Sequence, residues 1–516
     1  MAERAQPIAA SLPRWPGWVA TAWVAILTLG ALAAVAARGE AGTGLSLSDW
    51  AAIRFTLVQA VLSATVSILF AIPVARALAR RRFPGRRALI AVMGAPFILP
   101  VIVAILGLLA VFGRGGLLNA GLAALGLPPV SIYGLHGVVL AHVFFNMPLA
   151  VRLLLQGWAT IPAERFRVSA TYGVPVFRFL EWPMLRATVP GIWLAIFLIC
   201  LTSFAVALTL GGGPRATTVE LAIYQALRFE FDLSAAARLA AIQFAICAVA
   251  TLIAARISLP SALGGGLDRP VERWDGASVG ARGSDAGAIA VAALFLLLPL
   301  VLVVLRGVTG ILDLPGTVWA AALRSVVIAL LSSALCVALA LSLALRQRGW
   351  VFALAGTLPL AASGLVLGTG LFIMANPFID PRSIALPVTA LVNAALALPF
   401  AYRALLPAVG VAEATQGRLA DSLGIAGWAL VRLVILPRIR GPLGFSLGLA
   451  AALSMGDLGV IALFAGDRQE TLPLAMYRLM GAYRMDDAAA AGLVLVALSF
   501  GLFWMFDRGG RADDRD

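Results

Sequence analysis

Lysine is missing from this 516-residue chain: all 39 of its Lys-or-Arg positions are Arg. Without Lys there is no P-loop, whose G-x-x-x-x-G-K-[ST] pattern needs the ammonium group to reach phosphates. Schiff-base chemistry on Lys is excluded for the same reason. Histidine is almost missing too. His136 and His142 are six apart, not in the H-E-x-x-H arrangement of zinc enzymes. The three cysteines, Cys200, Cys247 and Cys336, each stand alone in an apolar run, so they read as core packing. Charge of either sign is scarce at 12% of residues, about half the ~25% of a soluble domain. Hydrophobic residues make up 61% and the mean hydropathy is +0.97. These deficits exclude a large water-soluble enzyme, and no nucleophile–base or metal cluster remains for a membrane-embedded one. The chain reads as an all-α polytopic membrane protein.

What is present is a series of apolar stretches of about 20 residues, enough to cross ~30 Å of hydrocarbon. They fall at 17–37, 55–78, 88–112, 134–155, 187–210 and 237–260, then at 286–308, 318–345, 350–374, 384–406, 441–464 and 489–507. The weakest is 350–374, which Pro359 and several Gly interrupt. With the N-terminus in the cytoplasm, 27 of the 39 Arg lie inside and 12 outside. Acids divide 13 to 11, with Asp457 inside a span. The Arg bias sets the orientation, and it makes the net charge of +14 a property of one membrane face. A nucleic-acid surface is therefore not the reading. Arg4 and Arg14 before the first span, and Ala-Val-Ala-Ala at its end, resemble a secretory signal. The length of the apolar run favours an uncleaved first helix.

The chain repeats itself. MPLAVR at 147–152 matches LPFAYR at 398–403, and Gly173 matches Gly424, both at an offset of 251. TVELAIY at 218–224 matches TLPLAMY at 471–477 at an offset of 253. Arg54 and Arg324 open matching apolar runs. The expected organisation is two parallel six-span halves, 1–260 and 286–516, joined by a cytoplasmic linker at 261–285. Parallel repeats place a pathway at their interface.

Each half has one long cytoplasmic loop, at 156–186 and 407–440. The second carries Arg418, Leu419, Ala420, Gly424 and, thirteen residues after that Gly, Pro437 preceded by Leu436. This resembles the EAA loop of binding-protein-dependent ABC importer permeases, E-A-A-x3-G-x9-I-x-L-P, with Arg418 in place of the Glu. The first copy has Arg167, Ser169, Ala170, Gly173 and Pro183, with a Gly-to-Pro spacing of 10. Small residues, then Gly, then Pro read as a short helix, a turn and a second helix. A shorter turn is expected to absorb the three missing residues of the first copy.

SIYGLHG at 131–137, LAHVFFNMP at 140–148 and GGGPRATTVELAIYQ at 211–225 look more specifically like the fused permease of thiamine ABC importers. The resemblance implies a type I importer permease fold and a bacterial inner-membrane location, with both termini cytoplasmic. It implies two ATP-binding subunits on the two loops, which hold the ATP and Mg while this chain binds no cofactor. A periplasmic substrate-binding protein is the other expected partner, and membrane lipid surrounds the helices. The related fused ferric-iron permeases are the alternative family. An ion-coupled secondary transporter is a further alternative, but a single intramembrane acid is thin support for a proton relay.

Five residues are candidates for the substrate path. Asp457, with Val206 taken as its counterpart, either meets the thiazolium cation or is held by helix ends. Tyr224 and Tyr477 recur before the last span of each half and either receive substrate or sit at the membrane interface. His142 and Asn146 share one helix face, one turn apart, and either bridge helices or touch substrate.

Overall fold

The computed structural model describes residues 15–38, 44–94, 98–213, 216–256, 273–346, 349–466 and 469–511. Arg4, Arg14, Arg348 and residues 261–272 of the expected linker lie outside them. Among the described residues the secondary structure is helical throughout, without strands. Eleven helices among them are long and apolar enough to cross a membrane, and the count is twelve when one bent pair is taken as a single span.

The spans are Trp15–Arg38, Leu47–Arg80, Val101–Ala124, Leu135–Ala159, Phe177–Leu201 and Leu233–Ala254. The second six are Val279–Gly310, Gly316–Ala344, the pair Trp350–Ala361 and Gly364–Ala375, Pro381–Ser422, Arg440–Phe464 and Met485–Gly510. Several bounds differ from the apolar stretches, for local reasons. The third span starts at Val101 rather than 88, because Pro100, which has no N–H to donate, stands at its N-cap, and Arg86–Val92 is a separate short helix. The ninth span turns through 95° between its two helices. There Ser363 caps the second helix by accepting from the Val366 N–H at 3.1 Å. The seventh span starts at Val279, so the end of the expected linker is already helix. The tenth runs on to Ser422, so the expected loop from 407 begins as a continuation of the span.

The fifth and eleventh spans break alike. Helix ends at Leu201 and restarts over Ala205–Leu210; helix ends at Met455 and restarts over Gly459–Phe464. Superposing these breaks sets Ser203, not Val206, opposite Asp457. Counting by residue offset from the fourth span missed this, because three residues are gained before the eleventh span.

The first helix of each set of six packs across to the other set. The first span lies on the eighth and on Gly364–Ala375, as well as on the sixth; the seventh lies on the second, third and twelfth. In lipid, apolar burial gives helices little reason to associate, so close backbone approach and interhelical hydrogen bonds do that work. Gly107 of the third span abuts the backbone of Pro299 in the seventh, where a Cβ would come within 2.7 Å of the Pro299 carbonyl oxygen. Gly370 of the ninth abuts the Ala31 backbone of the first in the same manner.

Candidate coupling loops and substrate path

The two long loops fold as twin helix–turn–helix units. In the first, Ala163–Thr171 ends at Gly173, which has φ +64°. The Val174 N–H then donates to the Ser169 carbonyl at 3.0 Å and the Gly173 N–H to the Ala170 carbonyl at 3.3 Å. In the second, Gly424 has φ +68°, the Ile425 N–H donates to the Ala420 carbonyl at 2.9 Å and the Gly424 N–H to the Asp421 carbonyl at 3.2 Å. Both are Schellman turns, which need a residue at positive φ and so select Gly.

After the turn each chain enters a π-helical stretch, Phe177–Glu181 or Val431–Ile435, and Pro183 or Pro437 follows two residues later. The wider π turn accommodates a Pro ring that would clash in a regular α-helix. The expectation of a shorter turn in the first copy is incorrect. Two residues follow the Gly before helix resumes in both copies, and the three extra residues of the second build an added helical turn at Gly427–Leu430.

The loop residues divide by side. Arg167, Ala170, Gly173, Pro183, Arg418, Gly424 and Pro437 are exposed, and Leu436 is half-buried. Ser169 and Ala420 are buried. The Ser169 hydroxyl donates to the Val174 carbonyl at 2.7 Å, closing its own turn. What the two loops present together are exposed apolar pairs one helical turn apart, Val168 with Tyr172 and Leu419 with Leu423. The repeat offset alone could have singled these out.

Beneath the first loop lies a charged cluster that the sequence pattern did not reveal. Glu181 is fully buried. It accepts from Arg76 Nε at 2.8 Å, from Arg273 at 2.8 Å and from Trp158 Nε1 at 3.0 Å. Arg273 also grips Asp275 at 2.6 Å and lies 4.7 Å over the Phe166 ring of the loop helix. Asp285, at the start of the seventh span, takes Arg80 and Arg81 at 2.5 Å each. Burial works to raise the Asp275 pKa, but the hydrogen bond and charge of Arg273, with Arg80 and Arg76, outweigh it and hold the carboxyl below its usual range. At the matching place in the second loop, the fifth residue of its π stretch, stands Ile435, fully buried in an apolar core.

The substrate-path candidates fall into two groups. His142 Nδ1 meets the Ser63 hydroxyl at 3.1 Å, and Asn146 Nδ2 donates to Cys200 Sγ at 3.4 Å. They tie the fourth span to the second and fifth. In the other half Asn393 and Ser454 pair at 3.1 Å. The second group comprises Tyr224, Tyr477 and Asp457. Tyr224 packs edge-on against Phe204 at 5.2 Å and Phe229 at 5.7 Å. Burial, and after it the nearby Tyr224, push the Tyr477 phenol up, so the two Tyr are neighbours within the protein. Asp457 lies in the break of the eleventh span, facing the backbone N–H groups of Val460, Ile461 and Gly459 and the Asn393 amide. Glu220, counted among the outside charges, is like Glu181 fully buried.

No family model matches the chain. Curated relatives match it from end to end. The thiamine transport system permease protein ThiP of Salmonella typhimurium is 41% identical over 98% of each chain. The protein of the same name from Escherichia coli is 40% identical over 98% of each. That of Brucella abortus is 39% identical over 95% of this chain and 94% of its own.

Proposed function

This chain belongs to the family of thiamine transport system permease proteins, and from that membership we propose that it is the membrane permease of an ATP-driven, binding-protein-dependent importer of thiamine and its phosphates. It is a multi-pass inner-membrane transport subunit. The full-length similarity carries this reading and favours thiamine over ferric iron.

The face with the two loops is the cytoplasmic one, with both termini, and two ATP-binding subunits dock there. They hold the ATP and Mg. Val168 with Tyr172, and Leu419 with Leu423, enter clefts of those subunits beside Arg167 and Arg418, and the buried Ser169 and Ala420 keep each loop closed. Closure of the ATPase pair then reaches the two halves by different routes. The first loop is clamped through Glu181 to the second span and to the segment that enters the seventh. The second continues directly from the tenth span. A periplasmic binding protein delivers substrate at the opposite face, near Tyr224 and Tyr477.

Reconstitution in lipid vesicles tests the reading. Thiamine is expected to accumulate only when the cognate ATPase, its binding protein and ATP are all supplied, with no accumulation of ferric iron. Uptake driven by a proton gradient in vesicles lacking the ATPase would refute it in favour of ion coupling.

A further inference from the structure

The bend of the ninth span sits between two carboxylates from opposite halves of the chain. On one side is Glu220, on the helix Val219–Gln225. It is fully buried, and neither carboxyl oxygen makes a hydrogen bond of good geometry among the described residues. The Ser363 hydroxyl and the Gln243 side chain lie beside it. Ser363 is the cap of Gly364–Ala375, so Glu220 faces the positive end of a twelve-residue helix.

On the other side is Asp457. A Cβ on Gly459 would lie 3.2 Å from Leu365 in the first turn of that same helix, 3.6 Å from Phe204 and 3.8 Å from Asp457 Oδ1. Asp457 is partly exposed, and its Oδ2 has no hydrogen-bond partner among the described residues. Aromatic rings complete the surroundings, since Tyr224 lies one turn after Glu220 and stacks edge-on with Phe204.

Among the described residues neither carboxylate has an ion-pair partner, and carboxylates without a counter-charge are costly in a low-dielectric interior and belong where a cation passes. The substrate taken from the proposed function supplies one. The thiazolium of thiamine is a permanent, delocalised cation of the kind that carboxylates and aromatic faces accept together. We propose that Glu220 and Asp457 form the station for this cation at the junction of the halves. In the present conformation the N-terminus of Gly364–Ala375 stands in for the cation between them. When the halves part, the hinge at the 95° bend withdraws that helix end and the thiazolium replaces it. This rests on the thiamine reading.

The test is charge selectivity in vesicles holding the complete transporter and its binding protein. It compares thiamine with a neutral isostere in which a thiophene replaces the thiazolium. Glu220→Gln and Asp457→Asn, each checked for co-purification with the ATPase, are expected to lower the thiamine-to-isostere transport ratio at least tenfold against the unaltered protein. An unchanged ratio overturns the station. Glu220→Asp, which keeps the charge, is expected to retain the ratio even if Glu220→Gln fails to assemble; loss of selectivity there overturns it equally. Failure of the unaltered protein to carry thiamine would instead overturn the thiamine reading beneath it.

Discussion

At the scale of single residues, the two loops solve one problem in two ways. Both need the π stretch before the Pro held firmly against the bundle. Glu181 does this with two guanidinium groups and an indole, whereas Ile435 at the same position uses apolar packing. A buried charge that loses its partner is strongly destabilising, while replacing a whole pair by apolar groups is often neutral. Glu181→Gln removes one of the two carboxylates that pair with Arg273, only 1% exposed, and leaves Asp275 to balance it and Arg76 alone, with an expected cost of up to about 3 kcal/mol. The double change Glu181→Ile with Arg273→Leu is expected to recover most of that. Denaturant unfolding of the purified protein in micelles measures both; an equal loss in the single and the double variant would contradict the argument. Two residues before Pro183 in the sequence, Glu181 gives no sign there of its burial, since its partners come from residues 76, 158 and 273.

At the scale of elements, the segment entering the seventh span acts as a strap across the first loop. Asp275 links Arg273 to Arg76 and Arg80, at 3.7 and 3.6 Å for the latter two. Its folded pKa is depressed, so the strap's contribution is complete above the ordinary carboxylate value of about 4. It is lost as pH falls through the folded value. The protection of the Ala163–Thr171 helix against hydrogen exchange, taken relative to the intrinsic amide rate at each pH, is therefore expected to be constant near neutrality and to fall below about pH 4. Asp275→Asn is expected to show the faster exchange already at pH 7; identical exchange in both proteins would remove the strap. The helix–turn–helix form of the loops was legible from Gly and Pro spacing. The added turn at Gly427–Leu430 was not, because a spacing does not say whether extra residues enter a turn or a helix.

At the scale of the whole molecule, exchanged first spans hold the two sets of six together, and two glycines permit it. Gly370→Leu pushes side-chain atoms into the Ala31 backbone, and Gly107→Leu does the same to Pro299. Overpacking of this kind costs about 1–3 kcal/mol. Each variant is expected to melt well below the parent in micelles, while Gly501→Leu, with open space around it, is expected to melt like the parent. Equal melting of all three would mean that the exchanged spans do not hold the sets together.

Hydrophobic run length, Arg distribution and the internal repeat determined by themselves that the chain is a helical membrane protein with two matched loops. These features follow from chain-local physics: hydrocarbon thickness, backbone hydrogen bonding in lipid and the positive φ that a Gly turn demands. Tertiary structure decided the rest. Which loop side chains face outward, which carboxylates are buried, where the ninth span bends and which set the first span joins all depend on neighbours from distant parts of the chain. Glu220 shows this most plainly. In the sequence it is one acid in an outside segment, and only folding sets it beside Ser363, opposite Asp457.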